Sequence, residues 1–416
     1  MPQAANEHFD IAIIGGGIGG GALATVLARA GLSVLVLEKS TVYRDHVRGE
    51  WMAPWGVVEL TNLGLYETVR AAGGHHLSRH WNCDEDIPPE EALALALDLA
   101  ALMPGIAGPL CIGHPALCQL FIETAGSSGA TVRRGVTDLR VTLGNSPAVV
   151  YQHDQTDHRA ACRLIVGADG RGSQVRREAG IELHRDPTHH LFAGMLVEGA
   201  DGWPADTQVI GAENDVHYLA FPQGGGRVRL YLGYSSDQPR RLAGPGGPQA
   251  FLAAFRLNSV PGSEHLANAR PAGPCNSYPN EDTWTDTPYR DGVVLIGDAA
   301  GSNDPIIGQG LSITLRDVRQ VRDALLGARD WSADVFAPYA AERAERMRRL
   351  RFAAALISTF ENEFSPAARE RRRRARERQM QDPSLLLPLM AAFMGPDNIP
   401  AETFEEQTRE RLFGPS

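Results

Sequence analysis

The sequence predicts an α/β fold in which a parallel sheet flanked by helices is interrupted by a block of antiparallel strands and followed by helices to the C-terminus. Three observations predict it. Residues 9–14, rich in β-branched side chains, run into Gly15, Gly17 and Gly20 and then an Ala/Leu-rich stretch to about Ala30: a strand, a tight turn and a helix. Two further strand-to-turn junctions repeat the pattern, 164–167 entering GADGRGSQVRREAG and 293–296 entering GDAAGSNDPIIGQGLS. Between them the runs 191–198, 207–211, 216–221 and 228–234 follow one another across short turns, as antiparallel strands do.

The first junction carries the most chemistry. Gly15 permits the tight turn, Gly17 lets the backbone approach a pyrophosphate, and Gly20 lets the helix pack closely on the strand. The helix N-terminus offers unpaired N–H groups and a partial positive charge to phosphates. Residues 33–37 form a second strand, and Glu38 at its end, about 20 residues past the glycines, can accept hydrogen bonds from an adenosine ribose. Together these make a dinucleotide site.

Beyond it, 57–65 reads as a helix ending at Gly64, with Trp51 and Trp55 nearby either as core aromatics or as the lining of a ligand pocket. His75–His76 and His189–His190 are adjacent pairs, which cannot face one metal from a regular element, and read as loop or surface histidines. Asp84, Glu85 and Asp86 before two prolines read as a solvated loop, and the apolar piece 93–103 as either helix or strand. Residues 114–126 have helical periodicity; 130–135, 137–143 and 149–153 resemble short strands. The Pro/Gly-rich 237–249 reads as a surface loop, and 311–378 as helix with breaks near Gly327, Pro338 and Pro366. The arginine run in 369–378, interleaved with Glu370 and Glu377, reads as a solvated helix face, and LLLPLMAAFM near the C-terminus as a segment packed back onto the body.

Composition narrows the classes. A chain of 416 residues is long enough for two cores, and 43% hydrophobic with 22% charged residues is ordinary for a globular protein. A net charge of -10 argues against a nucleic-acid partner. The five cysteines have no C-x-x-C pair, so reduced thiols rather than disulfides or a metal site are expected. No secretory signal or membrane-spanning run of about 18 apolar residues is present, which points to a cytoplasmic protein without stable membrane insertion. Lys39 is the only lysine, beside the ribose-binding acid, so lysine-dependent covalent chemistry is close to excluded.

In GGGIGG, GADGRGSQVR and GDAAGSNDPIIGQG, over roughly residues 8–350, the chain resembles the FAD-dependent class A aromatic monooxygenases, the para-hydroxybenzoate hydroxylase-like group. The resemblance implies a GR2-type Rossmann-like FAD-binding domain with an inserted antiparallel-sheet substrate domain and C-terminal helices. The expected boundaries are 1–80, 105–180 and 281–330 for FAD, 81–104 and 181–280 for substrate, and 331–416 for the helices. It implies that Gly15, Gly17, Gly20, Glu38 and Lys39 hold the ADP half, with Asp169 near the pyrophosphate. It further implies Asp298 at the ribityl chain, and Pro305, Gly308, Gly310 and Leu311 beside the isoalloxazine. Arg48 is the counterpart of an arginine that contacts FAD, and His114 stands where the family usually has Arg or Gln.

The implied activity is monooxygenation. NADPH or NADH reduces FAD, O₂ adds to give a flavin C4a-hydroperoxide, and one oxygen passes to an aromatic or other electron-rich small molecule by hydroxylation or epoxidation. Arg48, Pro305 and His217 are the catalytic candidates, and Trp51, Trp55, His217, Phe221 and Tyr231 the substrate-binding ones. His217 and the adjacent Tyr218 cannot share a strand face, so only one of them can look toward the flavin. No metal is expected, and the chain is expected as monomer or homodimer. A flavin-dependent halogenase is disfavoured by the lack of a W-x-W-x-I-P segment and of a free lysine. A geranylgeranyl-reductase-like enzyme is the stronger rival, since Arg48-Gly49-Glu50 and the LAFP at 219–222 suit it.

Overall fold

The computed structural model describes residues 6–47, 49–144 and 146–414. Its first sheet runs in the order Tyr289–Arg290, Val293–Leu295, Thr156–Gly167, Asn6–Ile14, Val34–Glu38, Thr131–Arg134. All neighbours are parallel except the outermost pair, and the hairpin strands Thr137–Thr142 and Ala148–His153 extend it antiparallel from the first half of Thr156–Gly167. Ile11, Ala12 and Ile13 are fully buried, because both faces of the parallel sheet are covered, one by helices and the other by the hairpin strands with the short helix Gln174–Glu178. On one face lie the helices Ile18–Arg29, His114–Ser127 and Gly310–Gly327. They approach closely through small residues: a Cβ on Gly21 would sit 2.9 Å from Cβ of Phe121.

The second sheet has the order Arg270–Pro271, His190–Glu198, Arg227–Tyr234, Val216–Pro222, Thr207–Glu213, Arg79–Asp84, Leu97–Asp98. It is antiparallel apart from the parallel pair Thr207–Glu213 and Arg79–Asp84. Alternation divides its residues between two cores. Ala193, Met195, Leu230, Leu232, Val209 and Cys83 pack on Phe251, Phe255 and Leu266. Phe192, Tyr231, Leu219 and Phe221 face the other way, toward Trp51, Ile306, Met347 and Leu350. That second face meets the turns of the first sheet and the C-terminal helices Ala337–Glu361, Pro366–Gln381 and Leu387–Met394.

Five local expectations are corrected. His75–His76 form a short strand against Leu110–Cys111 rather than a loop. Their ring atoms explain why: His76 Nδ1 lies 3.0 Å from the Gly108 carbonyl and its Nε2 2.9 Å from the Tyr66 hydroxyl. Residues 93–103 divide between the end of helix Pro89–Ala94, the strand Leu97–Asp98 and a turn of 3₁₀ helix. Residues 237–249 are not loop throughout, because helix Gly247–Ala253 already starts within them. Asp84 is fully buried, and the arginine run is only half a solvated face.

The last two errors share one cause. Arg372, 1% exposed, and Arg376 reach Asp84 at 3.1 and 2.8 Å, and Arg369 reaches Glu85 at 2.9 Å, while Arg373 and Arg374 stay outside with Glu370. Two local charge clusters that look solvated separately thus neutralise each other across nearly 300 residues. They fasten the C-terminal helices to the edge of the second sheet. Burial would raise the Asp84 carboxyl, but Arg376 and Arg372 outweigh it and hold the group below the usual carboxylate range. We expect Asp84→Asn to cost about 1–3 kcal/mol, read as a lower urea midpoint at unchanged m-value. The apolar C-terminal segment packs inward as expected, Ala392 and Phe393 joining Trp51 and Met347. Among the described residues no helix is long and apolar enough to cross a membrane.

Candidate functional site

At the carboxyl ends of Asn6–Ile14, Val34–Glu38 and Thr156–Gly167 lies a cleft of about 790 Å³. This is where open parallel sheets bind ligands. Gly15, Gly17, Glu38, Lys39, His114 and Asp169 line it. The three glycines are needed for different reasons. Gly15 has φ +102° and its Cβ would strike the Ala168 carbonyl oxygen at 2.4 Å; a Cβ on Gly20 would lie 1.9 Å from the Gly15 oxygen. Around Gly17 no protein atom comes within 4 Å of a Cβ position. The cradle is therefore tight beneath the turn and open above it, at the N-terminus of Ile18–Arg29, which suits a pyrophosphate. A dinucleotide fits these residues.

Glu38 is fixed by the backbone, accepting from Gly16 N–H at 2.6 Å and Ser40 N–H at 2.7 Å. Tyr43 closes the same turn by donating to the Gly16 carbonyl at 2.5 Å, with the Arg134 guanidinium 4.6 Å from its ring centre. His114 opens helix His114–Ser127, with Cys118 Sγ 3.7 Å from its ring, and the path of residue 49 presses on it: a Cβ there would be 2.8 Å from His114 Cδ2. Arg48 lies outside the described residues. We expect Glu38→Gln to weaken FAD binding by roughly 10–100-fold through loss of charge-assisted hydrogen bonds, as read by flavin fluorescence on reconstitution.

Asp169 does not point free into the cleft. It accepts from the Ser173 hydroxyl at 2.5 Å and from Gln174 and Val175 N–H at 2.7 and 3.1 Å, so it caps the short helix Gln174–Glu178. The second junction is tied to the third by two arginines. Arg176, buried, donates to the carbonyls of Ala299 and Arg171, and Arg171 stands 3.5 Å from Asp298.

The third junction rests on a buried charge cluster that no motif announced. Asp317, fully buried on Gly310–Gly327, accepts from Gly297 N–H at 2.9 Å and pairs with Arg343 at 3.0 Å and Arg346 at 2.7 Å. Arg343 also donates to the carbonyls of Gly297, Ala300 and Gly301. One legible signal existed: an acid inside the apolar stripe of one helix and two arginines three apart on another. Downstream, Asp304 caps the 3₁₀ turn Pro305–Ile307 through Ile306 N–H and meets His189 Nδ1 at 2.9 Å. That hydrogen bond holds His189 above the usual histidine range. Burial pushes neighbouring Asp282 up to about 6, and His190 down to about 4. His190 is thus buried in the joint between the third turn and the second sheet, whereas His189 is the exposed loop residue the sequence suggests, tied to that joint by Asp304.

Gly308 has φ +64° and faces the Trp51 ring, 3.0 Å from where its Cβ would be. Gln309 accepts from Trp55 Nε1–H at 2.7 Å and donates to the Ala392 carbonyl at 2.9 Å, fastening the last helices over this turn. Gly310 begins the long helix and Leu311 is buried beneath it. On the facing sheet, Tyr231 donates to Glu50 at 2.5 Å, and Arg229 bridges Glu50 and Asp45 at 2.9 and 2.6 Å. Phe221 packs tilted on Trp51 with ring centres 5.9 Å apart.

His217, fully buried on the same face, donates from Nδ1 to the Gly211 carbonyl at 3.0 Å. Its Nδ1 also lies 3.6 Å from Glu361, and its Nε2 has no partner among the described residues. Tyr218 faces the opposite core and bonds Ser259. Trp51, Phe221 and Tyr231 share one core with Ile306 and Ile307, His217 lies on the same sheet face against Phe192 and Glu361, and Trp55 looks back at Gln309.

Comparison with known proteins adds four findings. A family model described as "FAD binding domain" matches residues 8–352. The chain is 28% identical to squalene epoxidase erg1 of Aspergillus fumigatus over 77% of its own length and 67% of the relative's. It is 26% identical to the ubiquinone hydroxylase UbiL of Rhodospirillum rubrum over 89% and 86%. Among solved structures, p-nitrophenol 4-monooxygenase PnpA of Pseudomonas putida superposes with a TM-score of 0.75 at 18% identity, covering 99% of this chain and 100% of that one, a likeness of fold.

Proposed function

This chain belongs to the FAD-binding domain family, and we propose that it is an FAD-dependent monooxygenase that uses NAD(P)H and O₂ to hydroxylate or epoxidise an electron-rich, largely apolar small molecule. The observation that carries the reading is a cleft built by the first two turns and tied to the third through Arg176–Ala299 and Arg171–Asp298, with an apolar sheet face against Ile306 and Ile307 of that third turn. Relatives with the same family region act by hydroxylation and epoxidation, as their names state.

Bound FAD supplies hydride acceptance from NAD(P)H and activation of O₂. The chain supplies position and environment. Gly15–Gly20 and the helix N-terminus behind them would hold the pyrophosphate, Glu38 the adenosine ribose, and Asp298, beside Arg171, the ribityl hydroxyls. The amides at the start of Gly310–Gly327 place partial positive charge where negative charge on a reduced ring system would collect. Trp51, Phe221, Tyr231 and Phe192 would present the substrate, and the helices Ala337–Glu361 and Leu387–Met394 exclude water. His217 is available as a proton acceptor at Nε2, because Nδ1 is occupied by the Gly211 carbonyl. We place the enzyme in the cytoplasm, where NAD(P)H is supplied, as monomer or homodimer with no nucleic-acid partner.

The test is to purify the chain and record its visible spectrum. NAD(P)H oxidation and oxygen uptake are then followed with a panel of phenols and polyenes. Flavin absorbance with substrate-dependent oxygen uptake and an oxygenated product is expected. Undiminished substrate turnover under argon would replace this reading with an isoprenoid-type reductase, and a colourless protein that flavin cannot reconstitute would end it.

A further inference from the structure

The strand register places His80, Gln208, Phe221 and Arg229 in one row across the second sheet, on the face turned toward Trp51 and Gly308. Within that row three side chains form a chain whose direction can be read. The indole N–H of Trp51 can only donate, and it points at Gln208 Oε1, 2.8 Å away. That contact settles which end of the Gln208 amide is oxygen. Its Nε2, necessarily a donor, then lies 3.2 Å from His80 Nδ1, which must accept. The imidazole proton of neutral His80 is therefore on Nε2, and that N–H has no partner among the described residues. Gln208 is fully buried, so neither contact competes with water.

The surroundings say what this donor can serve. The Phe393 ring lies 5.6 Å from the His80 ring and 6.1 Å from Trp51, and Phe221 completes the aromatic wall. The one cation in the row, Arg229, is engaged by Asp45 and Glu50. Burial also drives His80 down to about 4, so the ring stays neutral at physiological pH. A carboxylate or phosphate would find no counter-charge here, whereas a neutral acceptor oxygen would find one directed N–H.

We propose that His80, set in its Nε2–H form by Trp51 and Gln208, is a specificity-determining substrate contact that selects uncharged cyclic molecules carrying an acceptor oxygen on an otherwise apolar skeleton. The proposal rests on the flavin-enzyme reading above and narrows its substrate class. It makes Gln208, which touches no substrate, a positioning residue.

The experiment uses the full FAD-loaded chain in its oxidised state and three probes of similar bulk: α-tetralone, tetralin, and 1,2,3,4-tetrahydro-1-naphthoic acid. Dissociation constants come from perturbation of the flavin spectrum, so no turnover is needed. α-Tetralone is expected to bind at least about tenfold tighter than tetralin, and the acid more weakly than either. His80→Ala should bring the tetralone-to-tetralin ratio near one, and His80→Gln, which keeps an N–H donor, should restore much of it. For the unmutated chain, ¹⁵N-histidine spectra should show His80, assigned by its absence from His80→Gln, protonated at Nε2 and shifted by α-tetralone. A ratio near one in the unmutated chain, a ratio unmoved by His80→Ala, or protonation at Nδ1 overturns the proposal. Failure to bind FAD at all defeats the flavin reading instead, so the two failures are told apart.

Discussion

Asp317→Ala is expected to lower folding stability by about 3–5 kcal/mol and to yield protein largely stripped of flavin. The carboxylate is fully buried and touches three partners at once: the Gly297 amide, Arg343 and Arg346. Removing it leaves buried Arg343 without its carboxylate and Arg346 with Glu342 alone, at 3.1 Å, the costly way to break such a cluster. The damage is also local to the site, since Arg343 is what holds the carbonyls of Gly297, Ala300 and Gly301 in place. Urea unfolding of the apo and FAD-loaded forms reads the first effect, and the ratio of flavin to protein absorbance reads the second. Only a small loss of stability with full flavin content would show that the turn is held by its own backbone.

The acid side of this cluster has a definite sign. Burial favours the neutral acid, yet Arg343 and Arg346 outweigh it, and the Asp317 carboxyl is held below its ordinary value. A depressed carboxylate contributes stability fully above the unfolded-state pKa near about 3.9, and that contribution fades as pH falls through the lower folded value. The stability gap between the unmutated chain and Asp317→Asn should therefore be constant above about pH 5 and narrow below about pH 4. A gap that widened with acid would reverse the assignment.

How much of this was legible from sequence follows from the range of each interaction. The glycine turn, the helix after it and Glu38 are determined by neighbours within a few residues, and all stand where local pattern places them. The strands between Leu191 and Tyr234 declare themselves as successive runs spaced by short turns. Asp84 with Arg372 and Arg376 did not, because each cluster alone is an ordinary solvated charge run and only the fold supplies the partner. The same holds for Asp317 with Arg343 and Arg346, and for the tautomer of His80, which depends on an indole and an amide far apart in the chain. Buried polar geometry is a tertiary property, and it is where the site's chemistry lies.

The second large effect separates the cofactor from the fold. Gly17→Ala should leave the apo-protein as stable as before and weaken FAD binding by about 1–3 kcal/mol, a factor of roughly five to 150. Its backbone is at φ −72°, which alanine accepts, and an added Cβ meets no protein atom within 4 Å. Among the described residues the methyl meets nothing, so what it would meet is whatever occupies the cleft. Gly20→Ala is the contrasting case: its Cβ would collide with the Gly15 carbonyl oxygen at 1.9 Å, so strand and helix must part and the apo-protein itself should melt earlier. Thermal denaturation of the two apo-variants, set beside FAD titration by fluorescence, distinguishes a glycine kept for packing from one kept for a ligand. If Gly17→Ala binds FAD as tightly as the unmutated chain, the pyrophosphate does not cross this turn, and the cofactor placement proposed for the whole cleft falls with it.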